Sequence, residues 1–116
     1  PSTACLVQNA IGATEAFAYD IAAACSGFIF ALAQADCLIA TGRAETVLII
    51  GAECLTKITD FTDRNTCVLF GDGAGAVVMQ AVEDDSRGVK YTVMHADGNG
   101  WRQHRRGSGQ RGDGEW

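Results

Sequence analysis

The chain has 116 residues, of which 47% are hydrophobic and 20% charged, with a formal net charge of −5 and a single proline. This composition can build one modest globular core and excludes a disordered chain. The acidic balance disfavours nucleic acid and anionic membranes as partners, and no apolar run is long enough to span a bilayer.

The chain opens Pro1-Ser2-Thr3 rather than with Met and basic residues, so we expect no signal peptide and a native start further upstream. Five cysteines are present, and no two are closer than twelve residues. Without a CxxC or Cys/His cluster, this spacing argues against a zinc or dithiol site, so we expect no metal. Most of these cysteines lie in apolar stretches, which favours buried thiols in a reducing, cytoplasmic compartment.

The first predicted element is a short helix over 2–11, capped by Ser2 or Thr3 and stopped by Gly12. The alternation that follows predicts a strand over 16–22. Its large side chains on one face are Phe17, Tyr19 and Ile21.

A corner of small residues, Ala22 to Gly27, leads into a long helical run over 26–40 that Gly42 ends. This run is apolar on almost every side, which is typical of a helix in the middle of a protein rather than on its surface.

Residues 46–52 are a continuous apolar run of strand length, which indicates a central parallel strand. The later predicted elements are an apolar run at 67–70, a Gly-rich turn at 71–76, a strand at 76–82, a turn at 84–88 and a strand at 89–95. Together these elements predict an α/β fold in which a mixed sheet packs on a buried helix layer.

The last twenty residues, 97–116, hold six glycines and four of the nine basic residues, with no apolar periodicity. We therefore expect a partial domain over 1–98 and a polar, flexible tail over 99–116. A basic recognition tail is a minor alternative, because Asp and Glu interrupt the run.

Cys25 has the surroundings of a nucleophile, because it lies where a predicted strand passes into a predicted helix among small residues. Small neighbours permit a sharp turn and close substrate approach. The helix N-terminus favours the thiolate, and its free N–H groups can stabilise an oxyanion. A buried cysteine in an alanine-rich packing corner is the alternative.

A cysteine α/β-hydrolase would also use such a corner, but it needs Asp and His partners. The two histidines, His95 and His104, are more typical of structural or solvated positions. The GDGAGA run at 71–76 fits neither a dinucleotide fingerprint nor a P-loop. Arg64 would ordinarily form a surface ion pair, although a guanidinium can also clamp a phosphate or stack on a purine.

Four segments, AYDIAAACSGFIFAL, VLIIGAECL, TDRNTCVLFGDGAGAVVM and HADG, occur in this order from residue 18 to residue 98. They resemble β-ketoacyl-acyl-carrier-protein synthase III, a condensing enzyme of the thiolase-like fold. The resemblance runs from Pro1 to about Gly98 and implies an internal fragment covering part of the N-terminal half of that fold.

The resemblance implies decarboxylative condensation of an acyl-CoA primer, usually acetyl-CoA, with malonyl-acyl-carrier protein, which initiates fatty-acid synthesis. It implies no cofactor, acyl-CoA and acyl carrier protein as partners, and a homodimer for the whole enzyme. The family nucleophile falls on Cys25, and an Arg that packs on the CoA adenine falls on Arg64. Asn65 stands beside it where several relatives have Gly, and Leu55 and Phe70 fall on positions lining the acyl pocket.

The family's catalytic His and Asn lie further along the fold, and His95 is not that histidine. After Gly98 the sequence leaves the family pattern, so the 116 residues are expected to be catalytically incomplete. Alternatives are another thiolase-fold condensing enzyme, such as a polyketide starter synthase or a thiolase, and an inactive fragment that serves only as a structural or interaction unit.

Overall fold

The computed structural model describes residues 1–84 and 86–100, which form two α-helices and one two-stranded sheet. The α-helices and strands are, in chain order, α1 (Thr3–Ala10), α2 (Gly27–Ala40), β1 (Thr46–Cys54) and β2 (Asp72–Gln80). Short 3₁₀ turns lie at Ala24–Ser26, Leu55–Lys57 and Gly98–Gly100.

Side-chain caps explain where α1 begins. The Ser2 hydroxyl accepts from the N–H of Cys5, as the sequence predicts. The Asp20 carboxylate accepts two further N–H groups, from Thr3 at 3.0 Å and Ala4 at 2.7 Å. Gly12 follows the last turn with φ of +72°, the left-handed conformation that commonly ends a helix.

The segment 16–22 is not a strand, contrary to the prediction, because it pairs with no other strand among the described residues. Two of the three side chains predicted to share a face do so, since the rings of Phe17 and Tyr19 stack with their centroids 6.2 Å apart. The Tyr19 hydroxyl donates to Gln34 of α2, and the Cys5 thiol of α1 donates to the Ala18 carbonyl. The segment therefore links the two helices.

α2 follows the predicted range closely and ends before Gly42, whose φ is +67°. It packs mainly on β1, and its Phe28 ring lies over Gly51. Ala33 and Ala35 are buried, but Ile29 is 49% exposed. Within the described residues α2 is thus only partly covered, less than its apolar composition predicts.

β1 and β2 pair antiparallel, with Ile49 opposite Val77 and Gly51 opposite Gly75. The sequence predicts that 46–52 is a parallel strand. In the described chain its neighbour is β2, which runs antiparallel to it. The physical reason is that an apolar run indicates burial of both faces of a strand but not the direction of its neighbour.

The predicted Gly-rich turn at 71–76 is wrong, because residues from Asp72 onward belong to β2. Glycine commonly breaks strands, but Gly73 and Gly75 are paired with Glu53 and Gly51 in a continuous ladder. The strand predicted over 76–82 is the second half of β2.

Past β2 the sequence predicts a turn and a further strand. The turn is present, since the N–H of Arg87 donates to the Asp84 carbonyl at 3.1 Å and Gly88 has φ of +88°. The strand over 89–95 is absent, because these residues join no ladder in the described chain. Most of the predicted tail, residues 101–116, lies outside the described residues, and the domain boundary at residue 98 stays a prediction.

The two faces of the sheet differ in burial. Ile49 shares the face of Gly51, toward α2, and is 6% exposed. The opposite face presents Leu48 at 42%, Ile50 at 44% and Val78 at 64% exposed. None of the helices in the described part of the chain is long and apolar enough to cross a membrane.

Candidate functional site

Cys25 is the middle residue of the 3₁₀ turn Ala24–Ser26. This turn leads directly into α2, whose first residue is Gly27. Ala24 has φ of +45° and is the one described residue other than glycine with positive φ. Such a conformation costs roughly 1–3 kcal/mol and often marks a functional site. The N–H of Ser26 donates to the Ala23 carbonyl at 3.1 Å and closes the turn. The sharp corner predicted from the small residues is therefore confirmed.

The thiol of Cys25 is free and exposed, so a substrate can reach the sulfur. The fourteen-residue helix α2 begins two positions later and directs the positive end of its dipole toward this corner. An exposed thiol at such a helix start can attack a thioester carbonyl.

Leu55 and Phe70 are brought together by the ends of the two strands. Leu55 follows β1 directly, Phe70 is separated from the start of β2 by Gly71 alone, and both line an open cavity of about 430 Å³. The rest of its lining is Ile58, Thr59, Asp60 and Thr66. Cys25 is not part of this lining.

Arg64 and Asn65 are exposed on the loop that joins β1 to β2 and lie outside the lining of that cavity. Asp63 shapes this loop, because its carboxylate accepts from the Thr66 hydroxyl at 2.7 Å and from the N–H of Asn65 at 3.0 Å. These hydrogen bonds lower the pKa of Asp63 below its ordinary value. The bond from the Thr66 hydroxyl has the largest effect, and the bond from the Asn65 N–H has the next largest. The carboxylate thus stays ionised at neutral pH and holds Arg64 on a defined turn.

A cluster that the sequence reasoning missed joins Asp72, Thr56 and Cys54. The Asp72 carboxylate accepts from the Thr56 N–H at 2.8 Å, from the Thr56 hydroxyl at 2.6 Å and from the Cys54 thiol at 3.6 Å. The one available signal was an aspartate between two glycines, which the sequence reasoning assigned to a turn.

The cluster changes the ionisation of both its titratable groups. The hydrogen bonds from Thr56 lower the pKa of Asp72, and the bond from its hydroxyl has a larger effect than the bond from its N–H. Desolvation of the sulfur has the largest effect in raising the pKa of the Cys54 thiol, and the negative charge of Asp72 has the next largest. At neutral pH the pair is therefore a carboxylate beside a protonated thiol.

His95 lines a second open cavity, of about 400 Å³, between α2 and the segment after β2. Its neighbours there are Phe30, Gln34, Met94 and Ala96. His104 lies outside the described residues. Across residues 1–84 and 86–100, no group of three or more His, Cys, Asp or Glu side chains could hold a metal ion.

We expect Cys25 to react first when the folded chain meets limiting iodoacetamide at neutral pH. Its thiol is exposed at a helix start, whereas desolvation of the sulfur and then the charge of Asp72 raise the pKa of the Cys54 thiol and favour its protonated form. Peptide mapping after short exposure measures the order of labelling. Earlier labelling of Cys54 or Cys5 would count against Cys25 as the nucleophile. A sample unfolded in denaturant is the control, because all five thiols should then react at similar rates.

Comparison with known proteins places these features in a family. The family model for 3-oxoacyl-[acyl-carrier-protein (ACP)] synthase III matches residues 19–98. A beta-ketoacyl-[acyl-carrier-protein] synthase III from Xanthomonas campestris is 58% identical over 99 residues, 85% of this chain and 30% of that protein. A protein of the same name from Ehrlichia canis is 52% identical over 98 residues, 84% of this chain and 31% of the relative.

Solved structures show the same relationship. The synthase III of Thermus thermophilus superposes with a TM-score of 0.77 at 49% identity, over 88% of this chain and 31% of the other. That of Aquifex aeolicus superposes with a TM-score of 0.70 at 61% identity, over 72% and 27% of the two chains. The predicted α/β, thiolase-like fold is thus confirmed for a chain that spans about 30% of the length of its relatives. By sequence and by fold, the chain belongs to the 3-oxoacyl-[acyl-carrier-protein] synthase III family.

Proposed function

We propose that this chain carries the acyl-accepting nucleophile of a β-ketoacyl-acyl-carrier-protein synthase III. The observation that supports this most strongly is the exposed Cys25 in a strained corner at the start of α2. Family membership favours this function over the cysteine hydrolase, which shares only the corner.

In the proposed first step, the Cys25 thiolate attacks the carbonyl carbon of an acyl-CoA primer, most simply acetyl-CoA. The C–S bond to CoA breaks, CoA leaves as its thiolate, and the acyl group remains as a thioester on Cys25. N–H groups at the start of α2, including that of Cys25, are suited to stabilising the negative oxygen of the tetrahedral intermediate.

In the second step of the whole enzyme, malonyl-acyl-carrier protein loses CO₂ and the resulting carbanion attacks the acyl carbonyl on Cys25. The new C–C bond gives a β-ketoacyl-acyl-carrier protein and frees the cysteine. The reaction as proposed needs no cofactor, and its product initiates fatty-acid synthesis. Its protein partners are the acyl carrier protein named in the relatives and a second copy of the enzyme. We propose a cytoplasmic location, where Cys25 would stay reduced.

Incubation with radiolabelled acetyl-CoA tests the proposed function. Covalent label on the Cys25 peptide supports it, and labelling that depends on any other cysteine, or no labelling of the folded chain, contradicts it.

We propose that Arg64 binds the CoA nucleotide, since it is exposed on a loop shaped by Asp63. A planar guanidinium stacks well on adenine. Arg64→Ala should therefore raise the KM for acetyl-CoA in the acylation of Cys25 by about three- to thirtyfold. The acetyl thioester of N-acetylcysteamine, which lacks the nucleotide, should react unchanged.

Arg43→Ala is the matched control for this test, because Arg43 is an exposed arginine beyond the end of α2. It should leave both substrates unaffected. If Arg64→Ala slowed acylation of Cys25 equally with both thioesters, Arg64 would have a structural role instead.

A further inference from the structure

The carboxylate of Asp72 fastens the end of the β1–β2 pair at which the connecting loop leaves and re-enters the sheet. Asp72 is the first residue of β2 and stands opposite Cys54, the last residue of β1. Its Oδ1 accepts from the Thr56 N–H, and its Oδ2 accepts from the Thr56 hydroxyl and the Cys54 thiol. One side chain thus binds donors on both sides of Leu55.

This position connects Asp72 to both apolar walls of the 430 Å³ cavity. Leu55 lies between the two residues that Asp72 holds, and Phe70 lies two residues before Asp72 in the chain. Thr59 braces the same turn, because its hydroxyl donates to the Leu55 carbonyl at 2.8 Å. A change at Asp72 would therefore move Leu55 relative to Phe70.

The Asp72 carboxylate is ionised at neutral pH, which suits its role of holding Thr56 and Cys54. An ionised carboxylate has enough lone pairs for three donors, and hydrogen bonds to a charged acceptor are stronger than neutral ones. An asparagine at position 72 would keep one acceptor oxygen and would turn an NH₂ group toward donors. The two Thr56 bonds and the Cys54 bond could not then all form.

We propose that Asp72 is a positioning residue that sets the length of acyl chain the Leu55–Phe70 cavity accepts, through its hold on Thr56 and Cys54. This rests on the proposed function, in which Cys25 is acylated, and on the resemblance that places Leu55 and Phe70 on the acyl pocket, so that the cavity would receive the acyl chain. Asp72 itself touches no reacting atom in this proposal.

The test compares rates of Cys25 acylation by acetyl-CoA and hexanoyl-CoA, measured by intact mass. Thr56→Val removes the hydroxyl at nearly constant volume, and Thr56→Ser keeps it as the rescue variant. We expect Thr56→Val and Asp72→Asn to shift the hexanoyl-to-acetyl rate ratio upward by about three- to tenfold, because a loosened wall admits the longer chain. Thr56→Ser should retain the wild-type ratio.

An unchanged ratio in Thr56→Val, with the wild type acylated normally, overturns this proposal and leaves the proposed function standing. A ratio that shifts equally in Thr56→Ser and Thr56→Val also overturns it, because the hydroxyl would then be irrelevant. No acylation of the wild type by either substrate contradicts the proposed function itself, and this proposal with it.

A second measurement needs no acylation. Cys54 should be alkylated faster in Asp72→Asn than in the wild type, because the carboxylate that disfavours its thiolate is gone. An unchanged rate would show that the Asp72–Cys54 contact does not hold in solution, and would overturn the proposal even if Asp72→Asn proved unstable in the acylation test.

Discussion

Cys25→Ser should lower the rate of covalent acylation by acetyl-CoA at least about a thousandfold, to background. A serine hydroxyl stays protonated at neutral pH and is a much weaker nucleophile than a thiolate, even at the start of α2. The change replaces one sulfur atom by oxygen and leaves the corner at Ala24 and Ser26 intact. Intact mass measured over time gives the rate directly.

Cys37→Ser provides the matched control, because Cys37 is an exposed thiol within α2, far along the helix from its start. This variant should acylate like the wild type. If Cys25→Ser acylated at the wild-type rate while Cys37→Ser lost acylation, the nucleophile would have been assigned to the wrong end of the helix.

The second expectation is that the 116 residues alone accept an acyl group but do not complete the condensation. The resemblance assigns stabilisation of the malonyl-derived enolate to a His and an Asn that have no counterpart in the matched segment. Loss of one such donor costs on the order of 10²–10³ in rate, so two independent losses cost about 10⁴–10⁶. Chromatography of the products from acetyl-CoA and malonyl-acyl-carrier protein measures this step.

The Aquifex aeolicus relative is the positive control for the condensation assay. Light scattering should accompany the assay, because the exposed face with Leu48, Ile50 and Val78 favours self-association. Acetoacetyl product formed by a monodisperse sample of residues 1–116 would contradict the expectation. Acylation of Cys25 without condensation would agree with it, since that step requires only the thiolate and nearby N–H groups.

Local chemistry made several elements predictable. Ser2 and Gly12 bound α1 because capping and left-handed backbone depend on single residues. The corner at Cys25 was predictable from the run of small residues around it, although the positive φ of Ala24 is strained for any residue with a Cβ and was not predictable.

Elements that depend on a partner strand were predicted less well. Residues 16–22 and 89–95 have strand-like patterns but join no ladder in the described chain. Conversely, the glycines at the start of β2 pair fully with β1 despite their low strand propensity. A strand is defined by its neighbour, and a pattern within one segment carries no information about that neighbour.

The sequence by itself determined the family, the two helices and the position of the candidate nucleophile, because each depends on residues close together along the chain. Only the tertiary structure decided that Asp72 binds Thr56 and Cys54, sixteen and eighteen residues away. That contact exists because the antiparallel register sets Cys54 opposite Asp72, and the register is fixed by how whole strands pair and pack on α2. The same pairing brings Leu55 and Phe70 to one cavity.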